Sequence, residues 1–159
     1  MTRFTLPMLA ALAAALPVRG AHAQAEDSKV RLIQRDQVAA AFGKGMPLVE
    51  VGDYKIHASR REGAGMAEVH TRDTDIAYVL QGSATLVTGG TAVDLKWIGP
   101  EELRGSGIRG GETRSLQPGD VVIIPNGIPH WFKEVSTPFL YYVVKVRQAK
   151  RQLAMEEVR

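Results

Sequence analysis

Between positions 48 and 146 the chain is broken every few residues by Gly, Pro, Asp or Asn, and the intervening segments are short and rich in Val, Ile and Tyr. Such runs predict strands over 48–51, 54–59, 66–70, 76–80, 84–88, 121–124 and 139–146, with a further strand starting at His130. Many short strands with closely spaced turns predict an all-β sandwich or barrel. Residues 24–35 read as a polar lead-in, and Gln37 to Phe42 as a short helix, capped by Asp36 and stopped by Gly43. From 147 to 159, Ala, Leu, Met and Glu with interleaved Lys and Arg favour a C-terminal helix. The stretch from Gly89 to Pro118 holds seven glycines and few apolar residues. It predicts a surface excursion with at most one weak strand, more easily read as a bland insertion than as a lid.

The N-terminus follows another pattern. Arg3 precedes a Leu, Ala and Met run from Leu6 to Val18, and Ala21-His22-Ala23 supplies small residues at cleavage spacing, the features of a secretory signal peptide over 1–23. The apolar run is short for a membrane span, which needs about 20 residues. The expectation is therefore a periplasmic or secreted protein with no stable span after cleavage. This changes the charge picture: the +3 of the whole chain falls to +1 once Arg3 and Arg19 leave. With no basic platform interleaved with aromatics, no nucleic-acid partner is expected. The 159 residues suffice for one domain, and with no cysteine any metal must be held by His and carboxylates. Beyond the leader the histidines are His57, His70 and His130.

Two segments concentrate the candidate chemistry. In PGDVVIIPNGIPHWF, residues 118–132, a turn, a buried strand and a second turn deliver His130 beside large aromatics, where it can point inward. Glu68 and His70 are two apart in a predicted strand and share a face, and Asp75 opens the next strand after a short reversal that can bring it back beside His70.

These residues resemble the cupins. Glu68, His70, Asp75 and Gly82 stand at the positions of the first cupin motif, and Gly119, Pro125 and His130 match the second, the more specific of the two. The resemblance spans 46–146 and implies a double-stranded β-barrel, or jelly roll. It departs from the family pattern where Glu68 replaces a histidine and Asp75 a glutamate; an alternative alignment puts Arg72 at a ligand position, where it could not bind metal. What it implies is a divalent metal (Fe, Mn, Ni or Zn) held by His70, His130, Asp75 and Glu68, beside a small-molecule ligand or substrate, with oxygenase, isomerase or lyase chemistry. Glu68, if uncoordinated, is the candidate catalytic base. A non-catalytic binding module is the alternative, and the family's pairing through barrel edges implies a homodimer.

Each residue also has a structural reading. His130 can be a core histidine bonded to a carbonyl. Asp75 can anchor the Thr71 to Thr74 reversal, and Glu68 can be an exposed strand acid. Lys55, His57 and Ser59 share a strand face expected to be solvated. Trp97 reads as loop packing. Arg60, Arg61 and Arg72 flank the first motif as a charged rim, with attraction of an anionic substrate as the sharper alternative.

Overall fold

The computed structural model describes residues 29–148, which from Arg31 onward group as one compact unit. The expected leader and all but the first two residues of the expected C-terminal helix lie outside the described residues. Those two are not helical: Arg147 is the last residue of a strand, and Gln148 follows it without regular structure. No helix among the described residues is long and apolar enough to cross a membrane.

The one helix among them, α1 (Arg35–Lys44), is longer than its apolar pattern indicates. Its N-cap is Gln34 rather than Asp36, with the Gln34 amide donating to Gln37 Oε1 at 2.9 Å. Asp36 instead lies in the first turn, where its charge complements the helix dipole. Gly43 lies inside the helix, and Gly45, left-handed at φ 66°, ends it. Phe42 meets Tyr142 edge-on at 4.9 Å, seating α1 on the sheet.

The strands are β1 (Pro47–Glu50), β2 (Tyr54–Arg61), β3 (Ala67–His70), β4 (Asp73–Gln81), β5 (Ala84–Thr88), β6 (Thr91–Val93), β7 (Lys96–Gly99), β8 (Glu102–Gly105), β9 (Gly107–Arg109), β10 (Glu112–Leu116), β11 (Val121–Ile124), β12 (His130–Val135) and β13 (Phe139–Arg147). They form a five-stranded sheet β1-β2-β13-β4-β11, a six-stranded sheet β10-β5-β12-β3-β8-β7, and a separate β6-β9 ribbon. This is the jelly-roll architecture the motifs imply, built as two open sheets rather than a closed barrel. The core lies between them: Ala77, Val79, Phe139, Tyr141 and Val143 from one sheet meet Leu86, Leu116 and Phe132 from the other.

Along two central strands the inward positions change character. In β4 the buried alternates run Asp73, Asp75, Ala77, Val79. In β13, Phe139, Tyr141 and Val143 are buried and Lys145 follows in the same phase. Because strand side chains alternate with period two, one inward stripe is apolar at one end of the sandwich and ionisable at the other. Hydrophobic burial therefore sets the register that presents the charged residues.

The 89–118 segment departs most from expectation. Five strands lie in it, β6 to β10. Its glycines act as punctuation between short strands: Gly90, at φ 66°, lies so close to the Arg109 carbonyl that a Cβ would stand 2.5 Å from it. The strand signal is weak because β7 and most of β10 are exposed, so apolar alternation is not required of them.

Candidate metal centre

The site consists of two cross-strand pairs facing each other, with His70 between them. On the six-stranded sheet, β12 meets β3 with His130 directly opposite Glu68. On the five-stranded sheet, β13 runs beside β4 with Lys145 directly opposite Asp75. Side chains opposite one another on an antiparallel ladder have Cβ atoms within about 5 Å, so each pair is brought together by register. Glu68 and His70 share a face of β3, as their spacing requires.

Glu68, His70 and His130 each offer a ligand atom within 4.8 Å of the other two. His70 Nε2 lies 3.6 Å from Glu68 Oε2 and 3.5 Å from Asp75 Oδ2, and His130 Nε2 lies 4.0 Å from each of those oxygens. His130 Nδ1 donates to the Ile128 carbonyl at 3.2 Å, which leaves Nε2 as the lone-pair nitrogen aimed at the carboxylates. Both histidines and Asp75 are buried, and the Glu68 side chain is only 15% exposed. Asp75 Oδ1 is buried with no hydrogen-bond partner. Two imidazoles and one carboxylate, with a second carboxylate beside them, are a donor set that suits divalent Mn, Fe, Ni or Zn.

Lys145 was not anticipated. Its Nζ lies 2.6 Å from Asp75 Oδ2 and 2.8 Å from His70 Nε2. A lysine in phase with Phe139, Tyr141 and Val143 was the available signal, since a lysine on an inward stripe must find a partner. Asp75 therefore faces the lysine and the imidazoles; the Thr71 to Thr74 reversal is tied instead by Asn126 Nδ2, which donates to the Thr71 carbonyl at 3.1 Å.

Of the three flanking arginines, only Arg61 enters the cavity. Its Nε donates to the Tyr141 hydroxyl at 3.0 Å, one terminal nitrogen lies 3.4 Å from Glu68 Oε1, and its Cζ lies 4.6 Å from the Phe132 ring centre. Arg60 pairs with Glu62, and Arg72 with Glu101 and the Gln148 carbonyl. The cavity holds about 230 Å³, and its apolar wall includes Ile124, Phe132 and Val143. His57 and Ser59 also line it, so the β2 face read as solvated is turned inward; His57 Nε2 lies 3.0 Å from Glu50 Oε1 at the cavity's edge. From the supposed excursion, Glu102 and Arg104 of β8 add a wall. Trp97 is 62% exposed on β7 and does not serve as packing.

Burial works against the Glu68 charge, but His70, Arg61, His130 and Arg104 outweigh it and hold the carboxyl down at about 2. Burial pushes His130 below its ordinary value, despite the opposing pull of Asp75 and the Ile128 carbonyl. Burial also disfavours the Arg61 charge, yet Tyr141 and Glu68 more than compensate. At neutral pH the centre thus holds an ionised glutamate and a neutral His130 with its Nε2 lone pair facing inward.

Comparisons with known proteins agree with this architecture. The cupin family profile matches residues 54–157. No curated protein matches the chain. Among solved structures, hydroquinone 1,2-dioxygenase from Sphingomonas sp. TTNP3, with 4-hydroxybenzoate bound, is similar at 15% identity and a TM-score of 0.52, over 76% of this chain and 82% of that one. The BH2720 protein of Bacillus halodurans matches at 11% identity and a TM-score of 0.54, over 77% and 85%. A double-stranded β-helix protein of Klebsiella pneumoniae matches at 17% identity and a TM-score of 0.49, over 75% and 91%. The Sphingomonas and Bacillus structures speak to the fold alone, and the family match extends over most of the domain: the chain belongs to the cupin family.

Proposed function

We propose that the protein is an exported cupin that binds one divalent metal through Glu68, His70 and His130 and takes a small organic ligand into the cavity beside it, with metal-dependent oxygenase, isomerase or lyase activity. The observation that carries this reading is the convergence of those three donors within 4.8 Å of one another at the cavity. A divalent ion there supplies Lewis acidity toward ligand oxygens or, as iron, a site for dioxygen chemistry. The chain's own residues supply the rest. Arg61 orients Glu68, and the Ile128 carbonyl fixes the His130 ring, two supporting contacts of the kind that hold ligands in place. Ile124, Phe132 and Val143 keep water from one side of the bound ligand. With its carboxyl held at about 2, Glu68 is a weak base, which favours the ligand role over the general-base role. The export element rests on the leader pattern of residues 1–23.

A metal-free binding module is the competing reading, and one observation favours it: the two site carboxylates already face two cations, Arg61 and Lys145. Elemental analysis of protein purified without chelator, beside a His70→Ala/His130→Ala variant, decides between them. Near-stoichiometric metal in the parent and its loss from the variant support the metal centre. An empty parent after reconstitution with Mn, Fe, Ni and Zn leaves the binding module.

A further inference from the structure

In the fold, Lys145 carries a cation into the heart of the candidate metal centre. Its Nζ donates to the lone pair of His70 Nε2 at 2.8 Å, the atom with which His70 would ligate a metal, and to Asp75 Oδ2 at 2.6 Å. The side chain is only 14% exposed and comes from the sheet opposite the one that carries Glu68, His70 and His130. A nitrogen lone pair cannot serve an ammonium and a metal together. Asp75 stands outside the group formed by Glu68, His70 and His130, and its close partner is the lysine.

We propose that Lys145 is a resident cation of the metal-free centre: it occupies His70, a divalent metal binds by displacing it from that nitrogen, and Asp75 serves as the lysine's anchor rather than as a metal ligand. This deepens the metal-binding reading and rests on it. Metal affinity is set by competition, because every binding event breaks a charge-assisted hydrogen bond to His70. It also gives the chain a reason to keep a second carboxylate beside three metal donors. Without Asp75 the ammonium would have His70 alone to hold it, and with Asp75 the displaced lysine retains a partner.

The test is calorimetric titration of the chelator-stripped protein with Mn²⁺ and, separately, Zn²⁺. The decisive variant is Asp75→Asn/Lys145→Met, which removes one negative and one positive charge together, leaving the net charge of the site unchanged and the His70 lone pair free. It binds metal at least about tenfold more tightly than the parent, the equivalent of about 1.4 kcal/mol. Lys145→Met alone binds more tightly still, and Asp75→Asn alone more weakly than the parent, because the ammonium is then left to His70. The single variants are interpreted only where far-ultraviolet circular dichroism matches the parent; the charge-neutral double variant carries the test if they do not fold. Equal or weaker binding by the folded double variant, with the parent binding normally, overturns the role of Lys145 while leaving the metal centre intact. If neither parent nor double variant binds either metal, the metal reading falls and takes this proposal with it.

Discussion

Replacing Lys145 by methionine in the metal-free protein leaves Asp75 as a carboxylate that is 9% exposed and has lost its close cationic partner. Its other oxygen, Oδ1, is already buried without a hydrogen-bond partner, and what then remains beside Oδ2 is the His70 imidazole at 3.5 Å rather than a cation in contact. Breaking a buried ion pair from one side costs about 3–5 kcal/mol, most of it the desolvation of the stranded charge. That is a large part of the 5–15 kcal/mol that holds a domain of this size together, and it corresponds to a fall in Tm of about 10–20 °C. Removing both partners is different, because the amide and thioether side chains that replace them carry no charge that must be solvated. The double variant is expected within about 1–2 kcal/mol of the parent, so it recovers about 1–4 kcal/mol of what Lys145→Met loses, and Asp75→Asn completes the double-mutant cycle. Urea unfolding in chelator at neutral pH, followed by circular dichroism, measures all four proteins. A loss below about 1 kcal/mol in Lys145→Met, or a double variant no more stable than that single variant, would refute the premise that the ammonium is the partner of a dry carboxylate.

Two further outcomes follow from the same structure. The Glu68 carboxyl, held at about 2 against an ordinary 4.5, contributes stability that is complete above about pH 4.5 and is lost as pH falls toward 2. Metal-free Glu68→Gln should therefore show a flatter stability profile than the parent between those values, and parallel profiles would show that the acid is not stabilised by folding. Gly82 lies at φ 80°, and a Cβ there would meet Ser136 Oγ and stand 2.7 Å from the Pro138 carbonyl. Gly82→Ala should cost about 1–3 kcal/mol in urea unfolding, and an unchanged midpoint would mean that the turn relaxes freely.

The legible parts of this fold are those in which burial is one-sided or spacing is rigid. The strands at 54–59, 84–88 and 121–124 announce themselves by composition, and all three lie within observed strands. Glu68 and His70 could be placed on one face because strand geometry allows nothing else. What sequence could not supply was partnership across strands. That Glu68 lies opposite His130, and Asp75 opposite Lys145, depends on pairings with partners far along the chain. The same gap explains the β2 face: alternation identifies Lys55, His57 and Ser59 as one set, but which side is inward is decided by the other sheet. The helix boundaries shifted because a glutamine pair capped the N-terminus where an aspartate was the stronger local candidate.

The strand that carries two of the candidate metal donors has an unequal pair of neighbours. β3 touches β12 at a single register position but runs beside β8 for four, with Glu68 opposite Arg104 and His70 opposite Glu102. Glu68 and His70 are thus braced largely by the glycine-rich segment. Deleting one residue from β8 would turn its cavity-facing side chains to the other side and shift the ladder that holds β3. The β6-β9 ribbon pairs with neither sheet, and it meets β12 by packing instead: a Cβ at Gly107 would stand 3.4 Å from the ring of Trp131, the neighbour of His130. Between 89 and 118 the chain therefore contains both a length that holds β3 through a hydrogen-bonded ladder and a length that reaches β12 through side-chain packing.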